Sequence, residues 1–277
     1  MTAADRRIAV GFFFVAFITY AWFFGGGGWN QNAHFDLTRA LVERQTLHID
    51  GYRVNTGDIS WNRRGNGPYH AYSNKPPGLP LLAALPYAAL HAIEKAMGLS
   101  IDSWLVMTIN VWALTLVTCA IPGALIGVIV YVAARRANAP PPWALFAAIA
   151  ASLGTIVFPY ATVFYSPVPA AFFLLVAFVW RSERPLLAGA AAGIATMCFY
   201  MCAFGAIAIA IDLLLRSRRD ALRFVAGGVP FAILLGMYHT LCFGAPWRTS
   251  LEVASAFTEK GLFLGLFRSG PQPAALW

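Results

Sequence analysis

Charge is what this chain has least of. Only 12 % of its 277 residues are charged, and acids are scarcer than bases, twelve against twenty. A soluble domain carries about 25 % charged residues, so an ordinary water-facing surface is excluded. Cysteine is sparse as well. Cys119, Cys198, Cys202 and Cys242 all lie in apolar segments, which argues against a disulfide framework and for small buried hydrophobes. Cys198 and Cys202 are spaced to share one helix face. Segments of alternating polar and apolar residues are missing, which excludes a membrane barrel. There is no internal repeat, and the run Gly25 to Gly28 is the only low-complexity stretch. No small-residue cleavage site follows the apolar run Ile8–Phe24, so the N-terminus reads as an uncleaved membrane helix rather than a signal peptide.

What the chain does have is long apolar runs. Hydrophobic residues make up 59 % of it, and several runs reach the roughly 18 residues that mark a membrane-spanning helix. The expected fold class is all-α: a multi-pass transmembrane helical protein with about seven spans. Its first external loop is large and contains interfacial helices. Residues 1–24 form the first span, 25–103 the external loop, 104–243 helices two to seven, and 244–277 an external tail. Helix two, Trp104–Ala134, is expected to kink at Pro122-Gly123. The stretch 186–215 divides into two short helices with a bend near Phe199–Cys202. Gly78–Met97 contains Pro80, Pro86, His91, Glu94 and Lys95, and reads as a helix lying at the interface.

The formal charge of +8 does not point to nucleic acid, because the basic residues are scattered over short loops. In this layout the inner segments carry ten arginines against three acids, and the outer segments ten bases against eight acids. This is the positive-inside pattern. It places the N-terminus in the cytoplasm and the first loop outside, as in a bacterial inner (plasma) membrane protein. Trp22, Phe23, Trp29, Trp61, Trp104 and Trp247 fall near the expected span boundaries, as an aromatic belt does.

The loop Gly25–Gly78 is the longest stretch unsuited to lipid. It holds Asp36, Glu43, Asp50, Asp58, His34, His48, His70, Arg39, Arg44, Arg53, Arg63, Arg64 and Lys75. Asp36 to Gln45 has the spacing of a short amphipathic helix. Asp36 opens it and reads either as an N-cap or as a catalytic carboxylate. Lys75 precedes Pro76 and Pro77, which fix its backbone, and a lysine near a membrane interface can reach for lipid headgroups. Asp50 and Asp58 read as turn residues. A divalent cation on Asp36 with His34 or Asp58 matches no ligand motif, so no metal and no cofactor is expected.

The stretches HFDLTRALVERQTLHIDGY (34–52), NTGDISWNRRGNGPYHAYSNKPPGLPLL (55–82) and, more weakly, FGAPWRTS (243–250) resemble the GT-C superfamily of membrane glycosyltransferases, in its protein-O-mannosyltransferase and aminoarabinose-transferase branch. The resemblance implies transfer of a sugar from a polyprenyl-phosphate-linked donor to an acceptor on the external face. It implies Asp36 as the catalytic base and Lys75 as the partner of the departing phosphate. Arg63, Arg64, His70 and His34 are the further substrate-binding candidates. The implied partners are the lipid-linked sugar donor and membrane lipids. Members of the superfamily have more helices than this chain, so it is expected to match their N-terminal half, either as a truncated gene product or as a minimal form, a second chain being one source of the missing helices. The turn FYSPVPAAFF carries Pro167 near where relatives often have an Asp or His. The alternative is a non-catalytic membrane protein that binds lipid-linked sugars, or an inactive truncated homologue.

Overall fold

A computed structural model describes residues 2–63 and 66–253 of the chain. Arg64 and the tail beyond residue 253, including Glu259 and Lys260, lie outside the described residues. The fold is mostly helical, with eleven α-helices and one short hairpin among the described residues.

Helix α1 (Ala3–Trp22) opens on a capping box in which Thr2 and Asp5 satisfy each other's backbone N–H groups. Phe12, Ala16 and Tyr20 recur every four residues on its buried side, while Val10, Phe14, Val15 and Ile18 point outward. The glycines at 25 to 28 end the helical run. Helix α2 (Trp29–Glu43) then begins, its N-cap Gly28 donating its N–H to Gln31 Oε1 at 2.9 Å. Helix α2 therefore starts well before the Asp36 expected from the apolar stripe. Its central residues, Ala33 to Ala40, are all buried, so the helix is enclosed on every side.

Strands β1 (Ile59–Arg63) and β2 (Tyr69–Ser73) pair antiparallel, from Ile59 opposite Ser73 to Arg63 opposite Tyr69. Helix α3 (Gly78–Ala96) follows directly. Its first residue packs against the backbone of Met197 and Cys198, where no side chain fits. Helices α4 (Trp104–Thr115) and α5 (Ile121–Arg136) form one continuous rod of 33 residues through a π turn at Leu116–Ala120. The expected bend point, Pro122-Gly123, follows directly on this π turn. Pro122 has no N–H to donate, and its ring would crowd the carbonyl four residues back. The wider π turn just before it absorbs both problems.

The remaining helices are α6 (Pro141–Leu153), α7 (Val157–Ala161), α8 (Pro167–Trp180), α9 (Pro185–Cys198), α10 (Cys202–Arg216) and α11 (Arg218–Phe243). The break between α9 and α10 falls at the expected bend. It also separates Cys198 from Cys202, so the two do not share a helix face as their spacing had suggested. All four cysteines are buried and unoxidised.

One apolar core joins α1, α5, α6 and α8, and a second joins α8 to α11. Two others enclose α2, one with the hairpin and the end of α11, the other with α3, α4 and Phe164. The α4–α5 rod and α11 are long and apolar enough to cross a membrane, while α6, α8 and α9 are shorter apolar helices. Large apolar side chains stay exposed along α1, α4, α10 and α11, among them Ile18, Leu105, Ile207 and Ile233.

Candidate functional site

The polar loop places several of its ionisable groups inside the protein. Asp36 sits in the middle of α2, so it is not an N-cap. It is fully buried. Asn55 donates to its Oδ1 at 3.1 Å, and its Oδ2 has no hydrogen-bond partner among the described residues. Burial pushes its acidity to about 7, against the pull of the Asn55 amide and the Arg39 charge. A buried carboxyl without a full set of donors keeps its proton more readily. Near neutral pH it is held between acid and base.

His34 lies two residues earlier, which on a helix is nearly the opposite face. It too is fully buried, and neither ring nitrogen has a hydrogen-bond partner among the described residues. Its ring meets the edge of Phe164 and tilts against Tyr165. Burial, with a contribution from the Lys75 charge, lowers its pKa to about 3. His34 is therefore a neutral imidazole at any working pH.

Lys75 stands at the turn from β2 into α3. Its Nζ lies 3.1 Å from Asp58 Oδ2. Asn74 beside it is buried and donates to Asp58 Oδ1 at 3.3 Å. Asp58 is thus not merely a turn residue but the counter-ion of Lys75. Buried polar atoms without partners among the described residues recur here, at Asn30 Oδ1, both His34 nitrogens, Asp36 Oδ2 and Asn74 Oδ1. Native interiors leave few such atoms.

The third stretch of the sequence meets the second at this turn. Ser250, fully buried, donates to the Asn74 carbonyl at 2.8 Å and accepts from Ser60 Oγ at 2.7 Å through its own carbonyl. The segment after α11 therefore braces the backbone that carries Lys75.

Arg63 lies elsewhere, at the exposed end of β1, with its guanidinium over the Tyr69 ring. His70 sits on β2 and contacts Asp50 at 2.6 Å. Asp50 also accepts the Ala71 N–H at 2.6 Å. It closes a loop onto the strand rather than capping a turn. The structure thus brings His34, Lys75, Asp58 and Asn74 into one neighbourhood, gives Asp36 different partners, and sets Arg63 and His70 on the outer hairpin.

Sequence reasoning missed one large polar network. Arg39 is buried. It bonds Glu43 through Nε at 2.7 Å and Asp102 through Nη2 at 2.7 Å, and its guanidinium stacks over Tyr52. Tyr87 donates to Glu43 Oε1 at 2.5 Å and Tyr52 to Oε2 at 2.9 Å. Burial opposes ionisation of Glu43, but Arg39 and these hydroxyls outweigh it and hold the carboxylate below its usual range. The Arg39–Glu43 spacing of four residues was a legible signal. Tyr87 and Asp102 are too distant in sequence to have been paired with it. The network lines a cleft of about 600 Å³ shared with Arg44, His91 and Lys95. No family model, no curated protein and no solved structure matches the chain.

Proposed function

We propose that this chain is a membrane glycosyltransferase of the GT-C type, moving a sugar from a polyprenyl-phosphate-linked donor to a hydroxyl acceptor on the external face. The observation that carries the reading is Asp36: a buried carboxyl poised at about 7, with one oxygen lacking a donor. A base of that strength suits removal of a hydroxyl proton near neutral pH.

In the proposed reaction the acceptor oxygen attacks the sugar's anomeric carbon from the side opposite the phosphate, so the product is inverted. Its proton passes to Asp36 Oδ2. The bond between sugar and phosphate oxygen breaks, and its electron pair stays on the phosphate. Lys75 exchanges Asp58 for that phosphate and neutralises the gathering charge. Asn74, beside Lys75, offers the polar surface of the sugar a hydrogen-bond partner.

The proposed setting is a plasma membrane crossed about seven times, with the first loop outside. It is supported by the two long apolar helices, the shorter apolar helices beside them and the outward-facing large apolar side chains. Trp22, Trp29, Trp104 and Trp247 are all strongly exposed, as side chains of an interfacial belt are.

A second reading has its own observation. Asp36 is fully buried, bonded to Asn55 and near Arg39, which suits a carboxyl that organises the fold of a non-catalytic binder of lipid-linked sugars. One experiment separates the two. The full chain in lipid nanodiscs receives a polyprenyl-phosphate sugar and a hydroxyl acceptor. Transfer by the wild type, lost in Asp36→Asn with donor binding retained, is the expected result. Donor binding without turnover in the wild type favours the second reading, and full transfer by Asp36→Asn removes the catalytic assignment.

A further inference from the structure

His48, Asp50 and His70 belong to none of the roles above. His48 and Asp50 lie on the loop between α2 and β1, separated by one residue, and His70 comes from β2. Both imidazoles direct Nδ1 at the same oxygen. His70 Nδ1 is 2.6 Å and His48 Nδ1 3.2 Å from Asp50 Oδ2. The two rings are stacked, with centroids 4.5 Å apart and planes 24° from parallel. Of the two histidines, His70 makes the hydrogen bond to the carboxylate, and His48 Nδ1 is buried without one among the described residues.

We propose that these three side chains bind a divalent transition-metal ion of the zinc class. The donor set fits: two imidazole nitrogens and a carboxylate oxygen, with their ligand atoms all within 4.8 Å of one another. A tetrahedral shell at ordinary zinc bond lengths spaces its ligand atoms about 3.4 Å apart. The His48–Asp50 separation is near that value already, and the His70–Asp50 contact needs to open by less than an ångström. The carboxylate is held for the purpose by its other oxygen, which accepts the Ala71 N–H. Such an outer hydrogen bond orients a ligand and maintains its basicity. A cavity of about 320 Å³, lined by His48 and His70 with Thr46 and Tyr72, opens beside the cluster. It gives the ion a path from solvent and space for a water as fourth ligand. On binding, the proton at the His70–Asp50 contact leaves to solvent and the ion takes its place.

The bound ion would tie the segment after α2 to β2, the strand that leads into Asn74 and Lys75. The inference stands on the cluster alone and does not require sugar transfer.

The test uses the full chain without an affinity tag, stripped with a chelator and held in detergent. It is titrated with Zn²⁺ against a chromophoric competitor and, separately, with Co²⁺. One Zn²⁺ per chain and the intense visible absorption of tetrahedral Co²⁺ are expected. His48→Ala and His70→Ala should each weaken binding about tenfold or more, while His91→Ala, in the other cleft, should leave it unchanged. The wild-type Co²⁺ spectrum decides the matter even where a variant folds poorly. No stoichiometric binding by the wild type, or wild-type affinity in both histidine variants in folded form, overturns the assignment.

Discussion

At the scale of the residue, the interior of the polar loop holds an acid and a base that burial pushes toward their neutral forms. Asp36 is raised to about 7 and His34 lowered to about 3 from ordinary values of 3.8 and 6.5. Their effects on stability have opposite signs. Between about pH 4 and 7 the folded chain keeps the Asp36 proton that the unfolded chain loses, so this group makes stability fall as pH rises. Between about pH 3 and 6.5 the unfolded chain holds a His34 proton that the folded chain does not, so this group makes stability rise with pH. The two slopes cancel across their overlap. Single substitutions should uncover them. Asp36→Asn, which preserves the Asn55 contact, should gain melting temperature over the wild type from pH 4 to 7 and hold that gain above. The full effect is on the order of 4 kcal/mol. His34→Phe should gain as pH falls from 6.5. Thermal unfolding across that range checks both, and parallel curves for wild type and Asp36→Asn would sink the assignment of a raised Asp36. The candidates Asp36 and Lys75 were legible because a carboxylate and a cation stand out in an apolar chain. The partners Asn55 and Asp58 were not, because nothing in their spacing says which way a buried side chain turns.

At the scale of the element, apolar run length and charge placed most helices within a few residues. The α9–α10 bend followed from a run too long for one helix between two basic ends. The hairpin went unread, since its strands are five residues each and interrupted by polar groups that mask alternation. The start of α2 was hidden because Trp29, Asn30, Gln31 and Asn32 carry no apolar period. Helices α9 and α11 contain a signal that was present and unused: Gly189 and Gly193 in α9, four apart, and Gly227 with Gly228 in α11. A Cβ on Gly189 would collide with the Phe224 carbonyl, and one on Gly227 with the Leu186 carbonyl. The two backbones touch, as small residues permit between membrane helices. Alanine normally stabilises a helix interior by about 1 kcal/mol over glycine. At Gly227 the sign should reverse, with Gly227→Ala losing about 1–3 kcal/mol through overpacking. Gly11, on α1, has open space around its Cβ position, so Gly11→Ala should hold or raise the melting temperature. Measured together in one detergent, equal shifts for the two variants would contradict the close approach of α9 and α11.

At the scale of the whole molecule, the charged groups gather at opposite ends of the helices. Asp5 joins α1 to the end of α5 through Arg135 at 2.7 Å, and Asp212 on α10 joins Arg181 at 3.1 Å and Arg216 at 2.8 Å. Asp5, Asp212 and Asp220 pair with neighbouring arginines, and Arg6, Arg7, Arg136, Arg184, Arg218 and Arg219 stand beyond those pairs. Cytoplasmic loops retain such an excess, whereas translocated ones do not. The opposite end carries α2, the hairpin and α3, where acids and bases are nearly matched and pair internally, as Lys75 does with Asp58 and Arg39 with Glu43. In the proposed topology this end is translocated and the arginine-rich end stays inside. Two loop positions report that direction. Asn66 lies in the hairpin turn and Asn138 in the loop after α5, and both are exposed. The native cysteines are buried and should stay silent to a membrane-impermeant maleimide. In intact cells Asn66→Cys should label at once, and Asn138→Cys only after the membrane is opened. Labelling of Asn138→Cys from outside would invert the topology and move Asp36 and Lys75 to the cytoplasmic face, where an external acceptor could not reach them.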